Sequence, residues 1–453
     1  MGKRILIKNG LLVLSDRVTP GNLLVEGEKI AAISEPGTRL DAEQSVDVKG
    51  AYVLPGLLDP HVHLTYGRNP EDFDSETAAA AMGGVTTVLS YNWVLGDFAE
   101  WFSQNKALGE KMAHIDFGFQ FGLMEDLHIQ SIPKFAKDYG VSSYKFYMQY
   151  MNNPGRKKGI NLNYADMYQA FLAVADRPDR MICIHCEDPD LIERISAGVH
   201  GREEPKAWLD SRPGFTEARG VQAALDFADL TGASCYLVHI SAKESVELIK
   251  NYRRSGNRPK VWVETCPHYL TLTYKDIKGT LGKVNPPLRT TEDNESLWQA
   301  IADGLVDTIG SDHIARSKHD KEGGLWNAKS GFPGSYAILP VLFTEGHLKR
   351  QISLPRIVEL TSTNSARIFG LYPRKGTLQP GSDADLVIVD PTVERAFRAK
   401  DLPSGSDFSL YEGQSIRGWP SMVMVRGRTV VEGGRFKGAP GHGKYLNRSQ
   451  QIQ

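Results

Sequence analysis

The 453-residue chain contains only four cysteines, too few for a disulfide framework in a protein of this length. Long apolar runs are also missing, because no stretch approaches the ~20 consecutive apolar residues that a membrane span requires. The N-terminus MGKRILIKNG reaches polar residues after three apolar ones, unlike a secretory signal. We therefore expect a soluble protein of the reducing cytoplasm with no membrane partner.

A surplus of charge is absent as well, since 53 Lys and Arg stand against 54 Asp and Glu, a formal net charge of −1. A near-neutral chain has no electrostatic basis for binding nucleic acid. Neither Gly-rich nucleotide-binding motif occurs, whether GxGxxG after a strand or GxxxxGK[ST]. The composition, 41% hydrophobic and 24% charged, is that of an ordinary globular protein, and we expect an enzyme acting on a small molecule.

The two ends of the chain differ in pattern from its middle. Residues 3–53 have the pattern of short β-strands, and this pattern returns after residue 384. Turn signals interrupt the N-terminal strands at Asn9-Gly10, Pro20-Gly21 and Pro36-Gly37. We predict a small β-sandwich built from residues 1–53 and 376–440, with residues 441–453 as a polar tail or oligomer contact.

Between residues 54 and 375, short apolar runs alternate with longer amphipathic stretches. The amphipathic stretches include residues 76–82, 166–175, 220–230 and 245–252. Alternation of strand and helix over a segment this long implies parallel βα units. The predicted class is therefore α/β, with a (β/α)8 TIM-type barrel over residues 54–375.

Several apolar runs of the middle segment end in side chains that can bind a metal ion. In VLPGLLDPHVH, His61 and His63 are two residues apart, so in a strand both point to one face. The runs MICIH, CYLVH and DTIGSDH end in the same way with His185, His239 and Asp312. Taken singly, each would be an ordinary core or surface residue. Because strand C-termini meet at the active-site end of such a barrel, the set predicts a centre for zinc or a similar ion.

Lys145 lies inside the aromatic-rich run VSSYKFYMQY, which has the pattern of a further strand. A buried ammonium group without a partner is unfavourable, and its pKa falls until it loses its proton. A neutral amine near metal ions can react with carbon dioxide to form a carbamate, which bridges two metals. The alternative is an ordinary ion pair between Lys145 and a nearby carboxylate.

Five sequence blocks, PGLLDPHVH, VHIS, TCPHYL, NPPLR and GSDH, occur in this order, followed by GTLQPGSDADL at residues 376–386. In these blocks the chain resembles, over nearly its whole length, the cyclic amidohydrolases of the amidohydrolase superfamily, the hydantoinase/dihydropyrimidinase family. The resemblance implies two divalent metal ions, which we take as zinc. It implies a buried ion on His61, His63 and Asp312, an exposed ion on His185 and His239, and carbamylated Lys145 as the bridging ligand.

The resemblance also implies a reaction in which a metal-bridging hydroxide attacks a ring amide carbonyl. Asp312 would take the proton of that hydroxide and pass it to the leaving nitrogen, first as general base and then as general acid. Tyr150 lies five residues after Lys145, the spacing at which hydantoinases carry a tyrosine that supports the developing oxyanion. The alternative for Tyr150 is an ordinary aromatic residue at the barrel mouth.

Departures from the family pattern bear on the substrate. Dihydroorotases carry Arg where this chain has Thr65, and the Glu-x-Pro-Gly of allantoinases is missing. We expect Asn285 and Ser330 to contact substrate, although hydantoinases often have Ser and Asn at these two positions. Arg68 either reaches a charged substituent or is a plain surface charge.

We therefore predict a hydrolase that opens a cyclic amide or ureide ring, hydantoinase- or dihydropyrimidinase-like, and a homotetramer by analogy with the family. Its loops at residues 65–75 and 150–160 would select the ring substituent. The alternatives are an allantoinase, a cyclic imidase or a superfamily hydrolase of linear amides. A non-catalytic dihydropyrimidinase-related scaffold is disfavoured because all six ligand positions are occupied.

Overall fold

The computed structural model describes residues 2–66, 69–151, 162–256 and 258–448. The chain begins with strands β1 (Arg4–Val13), β2 (Val18–Glu26), β3 (Lys29–Ser34), β4 (Gln44–Asp47) and β5 (Tyr52–Pro55). Strand β1 pairs antiparallel with β2 and parallel with β4 and β5. The apolar side chains of β1, β2 and β5 form the core of this N-terminal sheet.

Eight parallel strands follow and form the barrel. They are β6 (Leu57–Val62), β7 (Val85–Asn92), β8 (Asp116–Leu123), β9 (Ser143–Tyr147), β10 (Met181–His185), β11 (Cys235–Leu237), β12 (Val261–Thr265) and β13 (Thr308–Ile309). Each pairs with the next in chain order. Val62, at the end of β6, forms a bridge with His313, just beyond β13, which nearly closes the ring. The predicted barrel is confirmed, and its strands are buried on both faces as parallel strands require.

Helices connect the strands and continue beyond β13. They are α1 (Asp72–Met82), α2 (Ala99–Met112), α3 (Asp126–Gln130), α4 (Ile132–Tyr139), α5 (Tyr164–Leu172), α6 (Pro189–Val199), α7 (Pro205–Asp210), α8 (Gly214–Thr231), α9 (Lys243–Arg254), α10 (Pro267–Thr271), α11 (Thr291–Ala302), α12 (Ile338–Val341), α13 (Leu354–Val358) and α14 (Asn364–Ile368). Three of the four predicted amphipathic stretches lie in α1, α8 and α9, and the fourth, residues 166–175, begins in α5 and extends three residues beyond its end. No helix among the described residues has both the length and the apolar character to cross a membrane.

The strands of the C-terminal part are β14 (Leu386–Val389), β15 (Glu394–Ala396), β16 (Ser415–Arg417), β17 (Pro420–Val425), β18 (Arg428–Glu432) and β19 (Arg435–Phe436). Strands β14, β17, β18 and β19 complete the N-terminal sheet, while β15 and β16 pair with each other in a separate two-stranded sheet. Strand β14 pairs antiparallel with β5 on one side and with β17 on the other. The predicted small β-module from both chain ends is confirmed as one mixed sheet. Since β5 ends at Pro55 and β6 starts at Leu57, the sheet and the barrel meet within two residues. The domain limits at residues 53, 375 and 440 stay a prediction.

Two of the three predicted turns are wrong, because Asn9-Gly10 and Pro20-Gly21 lie inside β1 and β2. Asn9 adopts φ 59° at a bulge, which lets β1 continue. A Cβ on Gly10 would lie 2.7 Å from Val53 Cγ2, so close packing, and not a turn, requires a glycine at this position. The turn at Pro36-Gly37 is confirmed.

The described part of the predicted C-terminal tail, residues 441–448, packs against the barrel. Tyr445 forms a bridge with Phe117 of β8. The fully buried Arg448 donates hydrogen bonds to Ser143 Oγ at 2.8 Å and to the Phe119 carbonyl at 2.5 Å. Because Ser143 begins β9, this segment covers the barrel end opposite the strand C-termini.

Candidate metal centre

Strand β6 brings His61 and His63 to the mouth of the barrel, with ring centroids 5.3 Å apart. The buried Asp59 of the same strand accepts hydrogen bonds from the backbone N–H groups of His61 and Ser311, both at 3.1 Å. It thereby fixes β6 against the segment that carries Asp312. Asp59 was not predicted from the sequence, where its signal was an acidic residue inside an apolar run.

Asp312 faces both of these histidines. Its Oδ1 lies 3.1 Å from His63 Nε2 and 3.2 Å from His61 Nε2. Burial would raise the pKa of Asp312, but His61, His63 and Lys145 hold the pKa of this carboxyl below its usual range. Asp312 also adopts φ 50°, a left-handed conformation that non-glycine residues rarely take and that often accompanies functional sites.

A second pair of imidazoles lies beside the first. His185 ends β10 and His239 follows β11, and His185 Nδ1 is 2.9 Å from His239 Nε2. The ring of His239 stacks on that of His61, with centroids 5.5 Å apart. His239 has φ 41°, so the left-handed conformation recurs at this centre. All four predicted histidines therefore converge in space.

Lys145 lies in β9, beside β10, and is 1% exposed. Its Nζ lies 4.6 Å from the ring centroid of Tyr91 and 5.5 Å from that of Tyr147. Burial lowers the pKa of Lys145 to about 8. No carboxylate of the described residues forms an ion pair with it, so the alternative of an ordinary ion pair finds no support there.

Two buried glutamates support the histidines from behind. Glu264 Oε1 lies 2.7 Å from His61 Nδ1 and also accepts the backbone N–H of His239 at 3.0 Å. Glu187 Oε2 lies 2.8 Å from His185 Nε2. Such contacts fix which ring nitrogen points away from the carboxylate, a common arrangement around metal-binding histidines. Neither glutamate was predicted from the sequence.

The donor atoms suit a divalent cation. His61, His63 and Asp312 each offer one ligand atom, and these atoms lie within 4.8 Å of one another. Burial lowers the pKa of His61 and His239 well below the ordinary value, which leaves neutral imidazoles with free lone pairs. Nε2 of His61 is buried and has no hydrogen-bond partner among the residues that the structure describes. Unpaired imidazole nitrogen next to carboxylate oxygen is the donor set that zinc and similar ions prefer.

The centre opens into a cavity of about 290 Å³, near the lower limit of small-molecule sites. Its wall includes the three other predicted site residues, Tyr150, Asn285 and Ser330. Burial raises the pKa of Tyr150 well above its ordinary value, so its hydroxyl stays protonated and able to donate. Of the predicted substituent loops, residues 65–66, 69–75 and 150–151 are described, and Tyr66 joins Tyr150 at the wall. Arg68 lies outside the described residues.

Comparisons with known proteins agree with this architecture. The sequence profile of the amidohydrolase family matches residues 150–430. The chain is 34% identical to the D-hydantoinase of Geobacillus stearothermophilus, covering 98% of this chain and 96% of that protein. It is 32% identical to the L-hydantoinase of Paenarthrobacter aurescens, covering 98% of both.

Comparison with solved structures finds similar proteins with the same names. A D-hydantoinase crystal structure matches with a TM-score of 0.91 at 32% identity, and the dihydropyrimidinase of Brevibacillus agri NCHU1002 with a TM-score of 0.91 at 28% identity. Each match covers 99% of this chain and 100% of the other. The resemblance seen in the sequence blocks is confirmed. The chain belongs to the amidohydrolase family of metal-dependent enzymes and, within it, to the cyclic amidohydrolases of the hydantoinase and dihydropyrimidinase group.

Proposed function

We propose that this chain is a binuclear metal hydrolase that opens a cyclic amide or ureide ring, as its hydantoinase relatives are named for doing. One observation carries the proposal: six side chains, on five barrel strands or just after them, converge on one cavity. They are His61, His63, Lys145, His185, His239 and Asp312. Such an assembled centre also speaks against a non-catalytic scaffold.

In this proposal His61, His63 and Asp312 hold one divalent ion, and His185 and His239 hold the other. Both ions would be zinc, and Lys145 would serve as a ligand common to both in the form of a carbamate, made when its neutral amine bonds to the carbon of carbon dioxide and releases a proton. When bound, the metal pair supplies an acidified water and polarises the amide carbonyl.

The chain's own residues hold and move the protons. Asp312 accepts the proton of the attacking water and delivers it to the ring nitrogen that leaves. Tyr150 donates its hydroxyl hydrogen to the carbonyl oxygen, where negative charge develops. Asn285, whose buried Oδ1 has no hydrogen-bond partner among the described residues, is available to a ring N–H, and Ser330 contacts the ring from the opposite loop.

Ring opening is tested with the zinc-loaded enzyme and a panel of substrates: substituted hydantoins, dihydrouracil, allantoin, dihydroorotate, cyclic imides and a linear N-acyl amino acid. Mass spectrometry detects the hydrolysis product. We expect one or more hydantoins or dihydrouracil to open. Hydrolysis of the linear amide alone would overturn the proposal. D- and L-isomers are assayed separately because the relatives include a D-hydantoinase and an L-hydantoinase. The homotetramer and the cytoplasmic location stay predictions.

Lys145→Ala tests the bridging ligand. We expect the variant to lose bound metal and turnover, and short carboxylic acids such as acetate or propionate to restore part of both by replacing the carbamate. Metal content measured by atomic emission, with and without the acid, checks this. His61→Ala serves as the matched control, since removal of an imidazole is not expected to be rescued by a carboxylic acid. Full metal content and activity in Lys145→Ala would contradict the assignment.

A further inference from the structure

Arg316 places a positive charge on the wall of the same cavity, away from the metal ligands. Its guanidinium carbon lies 5.6 Å from the ring centroid of Tyr66, and that ring lies 5.6 Å from the ring of His63. The Arg316 Nε donates a hydrogen bond to the Ser330 carbonyl at 3.3 Å. The guanidinium is therefore separated from the proposed metal ligands by one aromatic ring, about the width of a small heterocyclic substrate.

This charge has no carboxylate partner among the described residues. Asp320 influences Arg316 at longer range, but its Oδ1 binds Lys329 Nζ at 2.6 Å and its Oδ2 accepts the Ser317 N–H at 3.0 Å. The segments at residues 67–68 and 152–161, which border the described part of the chain, contain no Asp or Glu. Burial lowers the pKa of Arg316, since the loss of hydration is not offset by a paired anion.

The fully buried Arg448 donates to a hydroxyl and a carbonyl oxygen and has no carboxylate partner among the described residues. Two other buried arginines have a carboxylate partner: Arg289 pairs with Glu217 at 3.1 Å, and Arg426 pairs with Asp116 at 3.0 Å. Buried charges are normally paired in this manner, because an unpaired one is unfavourable in a poorly hydrated site. An unpaired guanidinium at the wall of a substrate cavity is thus available for an anion supplied by the substrate.

We propose that Arg316 selects rings that carry a carboxylate on a short side chain. The inference rests on the proposed ring-opening function and deepens it by naming the substituent. With the reacting amide at His61, His63 and Asp312, the substituent extends past Tyr66 toward Ser330, where a planar guanidinium binds a carboxylate through two parallel hydrogen bonds.

The test compares hydantoins that differ only in charge. The carboxylic acids carry their carboxylate directly on ring carbon 5 or through one or two methylenes, and each is paired with the neutral amide of the same shape. We expect wild type to show a kcat/KM about 10- to 100-fold higher for at least one acid than for its amide, mainly through KM. In Arg316→Gln the ratio should fall close to 1, and Arg316→Lys should keep part of it.

Lys329→Gln is the matched control, because this cavity-wall lysine is already paired with Asp320 and its removal should leave the acid-to-amide ratio high. Turnover of the neutral amides by Arg316→Gln shows that the variant is folded. If wild type opens neutral hydantoins but no acid is preferred, or if the preference survives in Arg316→Gln, the role of Arg316 is overturned and the proposed function stands. If wild type opens no ring of any kind, the proposed function itself is overturned.

Discussion

At the scale of single residues, the proposed ligands depend on carboxylates that lie behind them. Glu264 contacts Nδ1 of His61, which leaves Nε2 to face Asp312. Glu187 contacts Nε2 of His185, which leaves Nδ1 to face His239. The two histidines thus present different ring nitrogens to the cavity, and in each of them the contact with a glutamate determines which nitrogen this is.

Replacing these glutamates should therefore weaken metal binding without removing a ligand. We expect Glu187→Gln and Glu264→Gln each to lower zinc affinity about 10- to 100-fold, measured by competition with a chromogenic chelator. Glu100→Gln, on the exposed face of α2, is the control and should bind zinc as wild type does. Unchanged affinity in both buried variants would contradict this role.

Sequence predicted the histidines, Lys145 and Asp312 because each follows or lies in an apolar run with a recognisable pattern. It did not predict Asp59, Glu187 or Glu264, since a carboxylate that supports a ligand has no fixed spacing from it. Glu264, for example, reaches His61 across 203 residues of sequence. Arg316 was not predicted either, because its significance lies in the lack of a carboxylate partner among the described residues, which only the folded structure reveals.

At the scale of elements, helix α8 sets the position of the end of β10. A Cβ on Gly220 of α8 would lie 2.7 Å from the backbone carbon of Cys186. Cys186 stands between His185 and Glu187, so the close approach of α8 holds both site residues in place. The backbone contact leaves no space for any side chain at Gly220.

Gly220→Ala should accordingly push α8 away from the site. We expect a loss of about 1–3 kcal/mol in the free energy of unfolding from overpacking, together with a lower kcat/KM. Gly198→Ala in α6 is the matched control: a Cβ there meets nothing within 4 Å, and the change should stabilise by about 0.4–1 kcal/mol. Thermal unfolding and steady-state kinetics of both variants check this, and a Gly220→Ala enzyme as stable and active as wild type would refute it.

The alternation of apolar runs and amphipathic stretches predicted the barrel, and within it five of the strands and four of the helices. The turn signals failed at Gly10 and Gly21, which were taken as turn residues. Their small size is required by Val53 and Leu12, whose side chains would lie 2.7 and 2.8 Å from an added Cβ. Neighbours of this kind come from other strands, and a local pattern does not reveal them.

At the scale of the whole molecule, a buried ion network joins the barrel to the sheet. Lys375 Nζ lies 2.5 Å from Asp116 at the start of β8, 3.0 Å from Asp383 and 2.7 Å from Asp385, next to β14. Asp383 also binds Lys29 at 2.8 Å and so reaches the N-terminal sheet. The three parts of the chain are connected by these few charges.

This network should make stability depend on acid pH. Burial would raise the pKa of Asp383, but Lys375, Lys29 and Arg374 hold it below the ordinary value of 3.8. The ionised form then stabilises the fold fully above about pH 4, and this contribution is lost as the pH falls further. Asp383→Asn should therefore lower the melting temperature clearly at pH 7, by the equivalent of about 3–5 kcal/mol. The difference should be moderately smaller at pH 3, where the carboxylate is still ionised in the folded protein but the unfolded chain has already taken up the proton. Scanning calorimetry of both proteins at the two pH values checks this, and an equal difference at both would contradict it.

The fold class and the pairing of both chain ends were predicted correctly from sequence. The packing of residues 441–448 on the barrel was not predicted, because Arg448 looks like a polar terminal residue in a polar segment. Its acceptors, Ser143 and Phe119, lie about 300 residues earlier, and only the folded barrel brings them to it.

The pairing of β5 with β14 has a consequence during protein synthesis. Strand β14 leaves the ribosome about 330 residues after β5, a delay of roughly 15–65 s at usual rates of translation. Throughout that interval the N-terminal strands expose an unpaired edge, a template for pairing with other nascent chains. We therefore expect misassembly to occur mainly on polysomes that carry several copies of this chain. Chaperones that act on nascent chains would have their greatest effect before residue 386 is made.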